Sequence, residues 1–131
     1  MTDLDQGLLR VIRILSAIIL IAAGAIHLLL VFDGTGGVLG VLFVLNAIAG
    51  IILGVGMLAL RARLLLLTSG LGVLFIAASF FALLLALTVG LFGIAAIWSL
   101  PWVPQTFVIE GVGVGVLAVT FGLALRARRR A

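Results

Sequence analysis

Two side chains that can ionise, His27 and Glu110, stand inside the long apolar runs of this sequence. His27 comes six residues before Asp33, where the first run ends, and Glu110 six residues after Pro104, where the last begins. At the helical rise both sit roughly 8–9 Å below the same boundary. Asn46, eight residues into the second run from that side, places an amide slightly deeper. An ionisable group in lipid costs about 2–4 kcal/mol even on insertion scales, so it turns inward and takes a partner. Brought together, His27 and Glu110 form an ion pair or share one proton, and they titrate as a unit. Two readings follow. One is a proton-responsive or ion-binding site reached from that end of the bundle. The other is hydrogen bonding between helices that fixes their register, with no chemistry. The hydroxyls of Ser16, Thr68, Ser69, Ser79, Thr88 and Thr120 are expected to bond carbonyls of their own helices.

Other chemistries are narrowly bounded. The chain has no cysteine, which excludes disulfides, thiolate metal sites and thiol redox chemistry. Zinc or copper catalysis needs three or four protein ligands, and one histidine with one intramembrane carboxylate falls short, so no metal site is expected. Haem is compatible only with a dimer that donates two copies of His27, because Met57 lies too near the other end of its run. Phosphate-loop motifs, a nucleophile with a matched base and paired carboxylates are all missing, so no enzyme is expected. Gly111-Val-Gly113-Val-Gly115 is glycine-rich but lies within a span.

The elements that must position these residues are membrane helices. Of 131 residues, 66% are hydrophobic and 9% charged, where soluble domains are about a quarter charged. The mean hydropathy is +1.55. Asp33-Gly34-Thr35-Gly36-Gly37, Arg61-Ala62-Arg63 and a Gly- and Trp-bearing stretch cut the chain into four runs, about 8–32, 38–60, 64–88 and 105–125. Each crosses roughly 30 Å of hydrocarbon as a helix, and none alternates like a barrel strand. The expected fold is all-α: one integral membrane domain over 1–131, a four-helix transmembrane bundle.

All eight basic residues are arginines. Arg10 and Arg13 precede the first crossing, Arg61 and Arg63 join the second to the third, and Arg126, Arg128, Arg129 and Arg130 follow the fourth. Four crossings put these clusters on one face, and the positive-inside rule makes that face cytoplasmic, with both termini. The net charge of +4 then addresses an anionic lipid surface rather than nucleic acid. The use of arginine to the exclusion of lysine suggests a GC-rich bacterial genome, hence a bacterial inner membrane. Arg-bearing start, apolar core and Ala23-Gly24-Ala25 also fit a cleavable signal peptide, but the apolar run continues past that point to Phe32.

Small residues mark expected helix contacts: Gly50 and Gly54 in register with Asn46, and Gly111, Gly115, Ala118 and Gly122 as one stripe on the fourth helix. Either stripe serves packing within the bundle or a homo-oligomer. Val89 to Pro104 is too apolar for a solvent loop. It is expected to lie in the interface as a short segment anchored by Trp98 and Trp102, roofing the polar layer.

Ala23-Gly24-Ala25-Ile26-His27-Leu28, Leu42-Phe43-Val44-Leu45-Asn46 with Gly50, Gly90-Leu91-Phe92-Gly93 and Ile109-Glu110 occur in that order. Their succession resembles uncharacterised small four-span membrane proteins common in actinobacteria, themselves loosely DoxX-like. The resemblance implies the topology and singles out His27, Asn46 and Glu110, but implies no activity. The Asn46, Gly50, Gly54 spacing is also similar to the second helix of small fluoride channels, yet the Thr/Phe/Ser-rich break of their third helix is missing. The expectation is a non-enzymatic accessory or interaction subunit in the lipid bilayer, alone or in a homo-oligomer or larger complex. The alternative is a small proton-linked transporter or channel using His27 and Glu110.

Overall fold

Each apolar run folds as one uninterrupted helix. The computed structural model describes residues 2–131 and comprises α1 (Asp3–Phe32), α2 (Gly37–Ala59), α3 (Ala62–Thr88) and α4 (Val103–Arg130). Successive helices run antiparallel around a four-membered bundle: α1 packs on α2 and α4, α3 packs on α4, and α2 and α3 touch least of the four neighbouring pairs. All four are long and apolar enough to span a membrane, and large apolar side chains such as Ile18, Ile52, Leu74 and Val108 cover the outside. The chain is a small multi-pass membrane protein.

The helices extend beyond the expected spans mainly at the arginine end. Thr2 and Asp5 form a reciprocal capping box, with the Asp5 amide donating to Thr2 Oγ1 at 3.2 Å and the Thr2 amide to Asp5 Oδ2 at 3.3 Å. Helix α4 continues to Arg130, whose guanidinium stands 3.7 Å from Asp5. Arg13 reaches across to the end of α2: Nε and Nη2 donate to Met57 O at 3.0 and 2.8 Å, and Nη2 also to Leu60 O at 2.8 Å. It thereby satisfies carbonyls that α2 leaves without an intrahelical partner.

Between α1 and α2 the backbones meet. A Cβ added at Gly50 would stand 2.7 Å from Leu20 O, and one at Gly24 3.0 Å from Ala47 O, so only glycine permits this approach. Gly54 is likewise buried against Ile21 and Ala17. Of the two roles expected for the α4 stripe, packing within the bundle requires a correction. Gly115 and Gly122 face outward with nothing within 4 Å, and Gly111 meets only the Phe80 ring. The buried face carries Thr106, Glu110, Gly113, Leu117, Thr120 and Ala124 instead. The reason is helical geometry: Glu110 must face inward, and Gly111 is turned about 100° from it.

Leu20, Met57, Ile76 and Leu117 are fully buried and meet at the centre of the bundle. Nearer the arginines, Ser16 Oγ and Thr120 Oγ1 lie 2.8 Å apart, both with no exposure. These two hydroxyls therefore tie α1 to α4, and Thr120 Oγ1 also donates to Val116 O of its own helix at 3.0 Å, as expected.

Candidate functional site

The polar layer assembles at the arginine-free end, and each helix supplies one member. α1 contributes His27, α2 Asn46, α3 Ser79 and α4 Glu110. Ser79 is the bridge. Its hydroxyl donates to Glu110 Oε1 at 2.5 Å and accepts from Asn46 Nδ2 at 2.9 Å. His27 Nε2 stands 4.0 Å from the same Glu110 oxygen. Its Nδ1 lies 2.8 Å from Ala23 O, and because a carbonyl can only accept, Nδ1 carries the hydrogen. Nε2 is thus a free lone pair on the neutral ring and a donor on the charged one. Phe43 packs edge-on to the imidazole, with centroids 4.9 Å apart, and fixes its plane.

Glu110 is wholly buried, and its Oε2 has no hydrogen-bond partner. Asn46 Oδ1 and Thr106 Oγ1 are buried and unpartnered as well. Three buried polar atoms of the layer thus have no protein partner. The structure brings His27, Asn46 and Glu110 together as their depths predict, and it adds Ser79, whose hydroxyl bonds other helices rather than its own. Its depth held the signal, since it lies nine residues before Thr88 at the same end of α3.

Above the layer lies an open cavity of about 900 Å³. Its floor includes His27, Asn46, Ser79 and Thr106, its walls come from α2 and α3, and its lining reaches Asp33 and Thr35 in the α1–α2 turn. The 89–102 connection forms its roof with Leu91, Ile94, Leu100 and Trp102. This connection is irregular rather than helical. Leu91 and Ile94 exchange backbone hydrogen bonds of 2.8 and 2.9 Å, and Gly90, Phe92 and Gly93 adopt positive φ to make the turn. Trp98 stacks edge-on against Phe107 at 4.9 Å, and Trp102 precedes α4 with φ +68°. Below the floor, the apolar plug of Leu20, Met57, Ile76 and Leu117 closes the way to the arginine end.

Among the described residues, no three His, Cys, Asp or Glu side chains gather into one group. The haem arrangement that would use His27 from two chains does not fit this placement. Nε2 points at Glu110 within the bundle, not at a neighbouring chain. The arginines Arg10, Arg13, Arg61, Arg63, Arg126, Arg128, Arg129 and Arg130 all collect at the other end, remote from the cavity. No protein-family model, curated protein or solved structure matches the chain.

Proposed function

We propose that this chain is a non-enzymatic accessory subunit of a bacterial cytoplasmic membrane, built around a binding site that opens on the extracytoplasmic face. The carrying observation is the position of the polar layer, at the floor of an open cavity and above a buried apolar plug. The arginine ring supports placing both termini in the cytoplasm. Access from one side suits binding, whereas transport would require the plug to part. Gly115, Ala118 and Gly122 are exposed on α4 and leave a shallow strip where a neighbouring helix, from another copy or another subunit, can approach.

Proton flux in reconstituted vesicles tests this reading. Under an imposed pH gradient the protein should add nothing to the leak of protein-free vesicles. Flux that disappears in Glu110→Gln would overturn the proposal in favour of a proton-linked transporter. That second reading draws on one specific feature, the His27–Glu110 approach of 4.0 Å across the bundle.

A further inference from the structure

We infer that the cavity between α2 and α3 receives a neutral amphiphile with a hydroxyl head group and a long hydrocarbon tail. The inference rests on the binding reading above and specifies the ligand class.

Three observations carry it. The first is the lining, which is apolar along both helical walls and lacks any arginine. Its one formally charged member, Asp33, sits at the mouth, so an anionic head group would meet no counter-ion and one repulsive carboxylate. The second is the floor. Thr106 is 6% exposed, lines the cavity and has a hydroxyl without a partner. Asn46 Oδ1 likewise lacks a donor, and the neutral His27 ring offers the Nε2 lone pair. A ligand hydroxyl matches this floor, because it donates to the His27 Nε2 lone pair, while Thr106 Oγ1 and Asn46 Oδ1 lie just beneath the cavity surface and are reached by rotation of their side chains. The third is the opening between α2 and α3, the neighbouring pair in least contact. Leu42, Leu45, Phe75 and Leu83 line that gap and present hydrocarbon to a tail. An apolar pocket with a few convergent polar groups is the usual anatomy of a small-molecule site.

Fluorescence quenching by brominated probes tests the assignment. Trp98→Phe leaves Trp102, on the cavity roof, as the single indole. In lipid vesicles, dibrominated octadecanol should quench it saturably, at a concentration about tenfold below that of dibrominated octadecanoate or a dibrominated alkyl-ammonium. Thr106→Val should weaken the alcohol about fivefold, the loss of one hydrogen bond, while Thr106→Ser should retain it. Ala82→Phe, which fills the space between the walls, should abolish saturable quenching with the helical content intact. Equal quenching by all three probes, or saturable quenching that survives Ala82→Phe, would overturn the inference. Labelling of Ala82→Cys by an impermeant thiol reagent separates the ligand class from the binding reading. Labelling without a preference for the alcohol defeats the ligand class alone, and no labelling defeats the binding reading too.

Discussion

Ser79 Oγ lies 2.5 Å from Glu110 Oε1, a short hydrogen bond that joins α3 to α4 in the middle of the polar layer. The same oxygen accepts from Asn46, so one small hydroxyl couples three helices. With a carboxylate at Glu110 the chain of donors runs from Asn46 through Ser79 to Glu110. With a neutral acid it can reverse, the acid donating to Ser79 and Ser79 to the Asn46 oxygen. A site that accommodates either protonation state without moving a helix follows from that symmetry.

Ser79→Ala should therefore destabilise the bundle more than a surface hydroxyl change does. It strands Asn46 Nδ2 and Glu110 Oε1 together, and an unsatisfied buried polar group costs about 1–3 kcal/mol. Thermal unfolding in mild detergent measures this. Glu110→Gln, which retains an acceptor for Ser79, should lose less than Glu110→Leu.

Arg13 has a structural task that Arg10 does not share. Arg13→Ala removes donors from Met57 O, Leu58 O and Leu60 O at once, with an expected loss of about 1–3 kcal/mol for charge-assisted bonds near the surface. Arg10 is exposed and makes no such bond, so Arg10→Ala should leave the unfolding temperature unchanged. Equal losses in the two variants would contradict the assignment.

The glycines divide by what surrounds them. Gly50→Ala forces a methyl against Leu20 O and should separate α1 from α2, at a cost of about 1–3 kcal/mol of overpacking. Gly122→Ala projects into open space and should be neutral, or stabilising by up to about 1 kcal/mol through helix propensity. The same denaturation series decides both. In cross-linking of intact membranes, a bulky Gly122→Phe should disrupt any helix seated on this strip and leave the monomer's own unfolding unaffected.

Much of this molecule was legible in its sequence because hydrocarbon imposes so severe a constraint. Four runs had to be helices, and the boundaries at Phe32, Ala59 and Thr88 fell within a residue of those expected. The extensions of α1 to Asp3 and α4 to Arg130 escaped because their polar turns carry no hydropathy signal; they are held by capping and by charge. His27, Asn46 and Glu110 were found by depth, which the helical rise converts directly from residue counts. Ser79 was at the same depth but belongs to a residue type that usually bonds its own helix. Which of its two expected roles the α4 stripe takes was not legible, because small residues lie on two sides of that helix. Glu110 breaks that ambiguity, since its neighbours at i+3 and i+7, Gly113 and Leu117, must share its inward face. The cavity and its roof depend on how far apart α2 and α3 stand, which no single helix encodes.

Cysteine accessibility tests the central claim most directly, namely that the polar layer is open from the arginine-free face and sealed from the other. The chain has no native cysteine, so Ala82→Cys in the cavity and Leu117→Cys in the plug can each be read alone. Ala82→Cys should react with an impermeant maleimide in right-side-out vesicles and not in inside-out ones, and Leu117→Cys should react in neither. Reaction of Ala82→Cys from the arginine face, or of Leu117→Cys from either, would contradict the account.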